Sequence, residues 1–101
     1  MTAYLIVRAT VAEEDRDAFD KWYEAEHLPD ATKAFKALSS MRGWSDEDPS
    51  IHFALYAFED MAAVRTSATS DGFKAMIAEF DRNWQGRVTR TREMFEVKQK
   101  I

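Results

Sequence analysis

The sequence predicts an α+β domain in the order βαββαβ, a four-stranded antiparallel sheet with two helices on one face. Three observations lead there. Residues 4–7, 51–58 and 89–97 are runs rich in β-branched and aromatic residues, the composition of strands. Two intervening stretches repeat apolar residues at three- and four-residue spacing, the period of amphipathic helices. A polar turn, Ser45 to Ser50, separates two strand-like segments and makes them a hairpin.

Tyr4, Leu5, Ile6 and Val7 open the chain as a strand, and the acidic residues Glu13, Glu14 and Asp15 suit the positive end of the helix that follows. That helix is expected from about residue 13 to residue 28. Pro29 lacks an N–H and disfavours helical geometry at Leu28, so the sequence predicts a bent or broken helix with another turn or two over residues 30–35. Glu26 and His27 then fall in the last turn, where the negative end of the macrodipole favours a protonated imidazole. Residues 39–44 read as a weak strand and residues 51–58 as the strongest one. Asp60 and Ser70 are N-cap candidates, giving one helix in two pieces, the second carrying Phe73, Met76, Ile77, Phe80 and Trp84 on its apolar stripe. In the last strand Thr89, Thr91, Glu93 and Phe95 alternate with Arg90, Arg92, Met94 and Glu96. Two right-handed crossovers on one sheet give the ferredoxin-like arrangement with the last strand beside the first. Its uncovered face calls for a partner, and a second copy is the expected one.

With 101 residues, 46% of them hydrophobic, the chain is expected to form a single domain, residues 1–101, around one core. The absence of cysteine rules out disulfides and thiolate chemistry. A net charge of −4 with mixed signs argues against nucleic acid, and no run of 18 apolar residues suggests a membrane span. No basic and apolar leader pattern occupies the first residues, so the cytoplasm is the expected compartment. Two histidines without metal-ligand spacing predict no metal, and Gly43, Gly72 and Gly86 stand isolated, so no nucleotide-binding loop or cofactor is expected.

The most informative segment is Trp22-Tyr23-Glu24-Ala25-Glu26-His27-Leu28-Pro29, which places Phe19, Trp22, Tyr23 and Glu26 within one helical arc with His27 at its edge. His27 is the candidate proton-transfer group and Tyr23, one turn away, the candidate oxyanion partner. Trp22, Glu26, Phe53, Phe80 and Trp84 are the candidate ligand-binding residues, with Phe73 and Tyr56 beside them. His52 is expected on the dimer-facing sheet surface or near the strand end. Arg8, Arg90 and Arg92, on neighbouring strands, read as partners of Glu93 and Glu96 or as a binding site for a carboxylate or phenolate.

The same eight residues match the pattern WYxxxHxP, and with the βαββαβ order they resemble the dimeric α/β-barrel superfamily, within it the EthD-like and antibiotic-biosynthesis monooxygenase-like groups. The resemblance implies a barrel shared by two protomers and a ligand cavity between each sheet and its helices. Members include cofactor-free oxygenases, lactone isomerases, polyketide cyclases and haem-degrading enzymes. It carries over His27 as an acid–base residue and Trp22 and Tyr23 as its neighbours. The haem-degrading pattern is not matched, because no asparagine lies on the first strand and no histidine on the second long helix. The expectation is a homodimer that binds a small apolar or aromatic metabolite and acts on it without cofactor. The alternatives are a non-catalytic metabolite-binding or stress-related protein, and a structural dimer with a filled interior.

Overall fold

The computed structural model describes residues 2–101. Strands β1 (Ala3–Val11), β2 (Ser39–Trp44), β3 (Ile51–Phe58) and β4 (Val88–Glu96) form one sheet in the order β2-β3-β1-β4, every neighbouring pair antiparallel. The last strand lies beside the first, as the ferredoxin-like order requires. Side chains alternate across the pleat, so Ala3, Leu5, Val7, Ala9 and Val11 face the helices and are buried. Register then decides every other strand: Val7 pairs with Ala54 and Arg92, and Ala9 with His52 and Arg90, placing all four partners on the helix side.

The helical layer comprises α1 (Arg16–Trp22), a π-helical turn (Tyr23–His27), α2 (Leu28–Phe35), α3 (Met61–Ala68) and α4 (Asp71–Trp84). Asp60 and Ser70 act as the expected caps, accepting from the N–H of Ala63 at 2.8 Å and of Phe73 at 3.1 Å. Phe73, Met76, Phe80 and Trp84 of α4 are buried against the sheet side, as their spacing predicts.

The first helical segment departs from expectation because it runs through Pro29 without a break. A proline inside an α-helix withdraws one hydrogen bond and crowds the carbonyl four residues back. Here the preceding turn widens, the N–H of Leu28 bonds to the oxygen of Tyr23, and Pro29 falls at the second position of α2, directly after the turn in which the hydrogen-bond ladder shifts by one residue. His27 therefore lies within a continuous helical segment rather than in a terminal turn. The segment ends at Lys36, in left-handed geometry with φ 58° and ψ 38°, where Lys36 and Ala37 donate to the carbonyls of Lys33 and Thr32 at 3.1 Å each.

His52 lies near the start of β3, one of its two expected places, and not on the open sheet face, the other. It is 1% exposed on the helix-facing side, because its register partners Ala9 and Trp44 face that way. The opposite face carries Ile6, Met41, Phe53, Leu55 and Phe95 with no helix over it.

Candidate functional site

Phe19 anchors the site. Its ring meets Trp84 at 5.2 Å, Tyr23 at 5.3 Å and His52 at 5.3 Å, tying α1 to α4 and β3 through tilted and edge-on aromatic contacts. One turn further on, the indole of Trp22 stacks on His27 with centroids 4.5 Å apart and planes at 19°. Tyr23 meets the same imidazole edge-on at 4.9 Å. The π-turn thus holds an imidazole between two rings that belong to its own helical segment.

The third constraint comes from α4, where Glu79 Oε1 lies 3.2 Å from His27 Nδ1. A carboxylate accepts, so Nδ1 carries the proton and Nε2 keeps the lone pair. Burial pushes the His27 pKa down, and Glu79 opposes that shift without reversing it. The imidazole is therefore set as a neutral base at pH 7, opposite to the cation that a helix terminus would favour. The carboxylate beside it is Glu79, and Glu26 is exposed on the solvent side of the same turn.

His27, Tyr23 and Phe80 line one cleft with Leu5, Tyr56 and Arg90, between the sheet and the helices. Its enclosed volume is about 20 Å³, room for a water molecule or two. Larger grooves of about 510 Å³ open between α2, α3 and α4 around Ser67 and Ser70, and beside Lys33 and Ser40, but neither reaches His27 or Tyr23. Burial pushes the Tyr23 hydroxyl up to about 12, partly offset by the Tyr56 hydroxyl, and Tyr56 is raised further for the same reason. Both phenols stay protonated at neutral pH and can donate to a developing oxyanion.

Of the other expected ligand-binding residues, Trp22 covers His27 while half-buried. Trp84 is buried against Phe19, off the cleft lining, and its Nε1 has no hydrogen-bond partner. Phe53 lies on the far face of the sheet, since it pairs with Arg8 rather than with an inward residue of β1. The three arginines are split in the same way, Arg8 outward and Arg90 and Arg92 inward. None of their ion pairs is with Glu93 or Glu96; Arg90 reaches Asp81 at 3.5 Å. Glu79, which the sequence reading missed, borders the α4 stripe one residue before Phe80, and nothing local pairs it with a histidine 52 residues earlier.

A second polar cluster lies behind the first. Arg42 donates to Asp20 at 2.8 Å and to His52 Nε2 at 3.2 Å, and the Trp44 indole N–H donates to the same Asp20 oxygen at 2.8 Å. The Arg42 and Trp44 hydrogen bonds hold Asp20 below the usual carboxylate range, and burial, assisted by Arg42, pushes His52 down to about 4. This cluster fixes β2 to α1. Among the described residues no group of three or more histidines and carboxylates that could hold a metal is assembled, and no helix is long and apolar enough to cross a membrane.

No protein-family model matches the sequence, and no curated protein matches it. Solved structures do match over nearly the whole length. An EthD-family protein from Bacillus halodurans aligns at 17% identity with a TM-score of 0.73, covering all of both chains. SnoaB, a cofactor-independent oxygenase from Streptomyces nogalater, crystallised as the N63A mutant, aligns at 14% identity and a TM-score of 0.64, over 99% of this chain and 96% of that one. A candidate antibiotic biosynthesis monooxygenase from Deinococcus radiodurans aligns at 12% identity and 0.70, over 98% and 95%. At such identities the likeness is one of fold. The chain has the ferredoxin-like α+β fold, the fold that the EthD-family and antibiotic-biosynthesis-monooxygenase-like structures also have.

Proposed function

We propose that the protein binds a small, largely apolar or aromatic organic molecule in the cleft at His27 and promotes a cofactor-free, proton-transfer-initiated reaction on it. The observation that carries this reading is the His27–Glu79 pair at 3.2 Å: a neutral imidazole, oriented by a carboxylate, opening on a cleft with two phenolic hydroxyls. His27 Nε2 takes a proton from an acidic carbon or hydroxyl, Glu79 steadies the imidazolium that results, and Tyr23 donates to the oxyanion. A positioned base of this kind contributes roughly 10²–10⁴ in rate. The reaction class is isomerisation, cyclisation, dehydration or monooxygenation, the last in keeping with the oxygenase among the structural neighbours.

The working form is a cytoplasmic homodimer joined through the open sheet face. Ile6, Phe53, Leu55, Met41 and Phe95 give that face an apolar centre, and a second copy supplies the matching surface. Sedimentation equilibrium on wild type and Leu55→Asp tests it, with a dimer expected for the first and a monomer for the second. A monomeric wild type would remove this part of the reading.

A second reading, a structural dimer with a filled interior, is favoured by the cleft volume of about 20 Å³. Thermal-shift screening of wild type and His27→Gln against lactones, phenols and aromatic acids separates the two, because a ligand of the folded state raises the transition temperature by mass action. The binding reading expects a stabilising compound that wild type converts and His27→Gln only binds. Binding without turnover by both proteins would mark a sequestering protein. No stabilisation by any compound would leave the filled interior.

A further inference from the structure

Two cations line the cleft without adequate anions. Arg90 and Arg92 are both on the helix-facing side of β4, about 7 Å apart along the strand, and both line the cleft. The Arg90 guanidinium lies 3.8 Å from the centre of the Phe80 ring, and that of Arg92 lies 5.8 Å from the centre of Phe73. Among the described residues, the one ion pair either makes is Arg90 Nη2 to Asp81 Oδ1 at 3.5 Å, with the Asp81 side chain half exposed and that of Arg90 13% exposed. That is a long contact to a solvated partner. It leaves most of ten guanidinium N–H donors free of a protein acceptor.

Charge is distributed unevenly along the cleft. The carboxylate of Glu79 is engaged behind the lining by His27 Nδ1, while β4 contributes two arginines to the lining itself. A ligand with one anionic group has a single favourable orientation in such a field: anion toward β4, reacting carbon toward His27. Each guanidinium also rests over an aromatic ring face. A planar ligand drawing the guanidiniums away would leave the faces of Phe80 and Phe73 for its own ring, enlarging a cleft that now holds only water-sized molecules.

Resting on the reading of the His27 cleft as a ligand site, we propose that Arg90 and Arg92 form a carboxylate-recognition pair in its lining and that the ligand is an aromatic carboxylate. The planar guanidinium fork matches a carboxylate in two parallel hydrogen bonds, which a phenolate or a neutral amide does not offer. The mutual repulsion of the two cations is relieved by the anion between them. Desolvation and Arg92 together already lower the Arg90 pKa, as expected of a cation short of anionic partners.

The test compares 2-naphthoate with 2-naphthamide, equal in shape and different in charge, by titration monitored through backbone amide NMR signals. Wild type, Arg90→Gln/Arg92→Gln and Arg90→Lys/Arg92→Lys are measured at the same salt concentration. Wild type is expected to bind the acid about tenfold or more tightly than the amide, the gain typical of a charge-assisted hydrogen bond. In the glutamine variant the two affinities should converge with the amide unchanged, and in the lysine variant part of the preference should survive. Equal affinities in wild type, or an acid preference that survives in the glutamine variant, overturn the arginine pair. If the amide binds and shifts the signals of Tyr23, His27 and Phe80 with no advantage to the acid, the pair fails while the cleft stands. If neither compound shifts those signals, the cleft reading fails and takes this proposal with it.

Discussion

Arg42 Nη1 lies 3.2 Å from Nε2 of His52 inside the protein, so the one nitrogen of that imidazole able to receive the bond must be unprotonated. A guanidinium has no lone pair to offer a second imidazolium proton. The pair is therefore compatible with one protonation state only, and folding selects it.

Stability should fall with acid in a defined window as a result. His52 titrates at about 4 when folded and near 6.5 when unfolded, so the unfolded chain binds the extra proton as the pH drops between those values. The stabilisation is complete above about pH 6.5 and is lost as the pH falls toward 4, a change of roughly 3 kcal/mol. Asp20 contributes in the same sense at lower pH, since its carboxyl is held below its ordinary value. Urea unfolding of wild type and His52→Gln at pH 7 and pH 4.5 measures it. The glutamine can still accept from Arg42, so the variant should show a smaller drop between the two pH values.

Glu79→Gln should lower the His27 pKa further. Glu79 is the main group that favours the imidazolium against burial, and removing its charge leaves desolvation and Arg90 opposed only by the weaker influence of Asp30. The readout is an NMR titration of the imidazole carbon-bound protons. An upward move would mean that Glu79 does not face the ring in solution.

Lys36→Gly should stabilise the fold by about 1 kcal/mol. Lys36 occupies the left-handed position that closes α2, which costs a residue with a Cβ roughly 1–2 kcal/mol and a glycine little. Part of the gain is returned because glycine also loosens the unfolded chain. Thermal or urea unfolding is sufficient to see it.

Gly72→Ala should go the other way. A Cβ at this position would lie 2.8 Å from the Ala34 carbonyl oxygen, where α4 crosses the end of α2. Alanine gains at most about 1 kcal/mol of helix propensity, whereas forcing two packed helices apart costs typically 1–3 kcal/mol. A net loss of about 1 kcal/mol is expected, and an unchanged or raised midpoint of urea unfolding would contradict it.

How much of this was legible beforehand varies by residue. The strand and helix order was readable because each element carries its own local period, and Asp60 and Ser70 were readable because capping is decided within three residues. The association of Tyr23 with His27 follows from spacing along one segment. The face taken by β3 was not, since Phe53 and Leu55 on one side and Tyr56 and Phe58 on the other are equally apolar, and only pairing with β1 decides between them. Glu79 escaped for a related reason, because its partner is set by how α4 crosses the first helical segment. Pro29 misled because its usual effect was compensated by a change of helical period immediately before it.

That change of period makes residues 23–27 a phase slip between two rotors. Phe19 fixes the rotation of α1 against the sheet, while Ala31 and Phe35 fix that of α2. The wide turn holds one residue more than an α-turn, so a residue deleted there would let the segment close into a regular α-helix with both halves still in phase, and would abolish the turn that presents the imidazole. It would also be the softest stretch of the helix. The Leu28 amide, bonded across five residues rather than four, should exchange with solvent faster than those of Phe19 or Phe35 on either side.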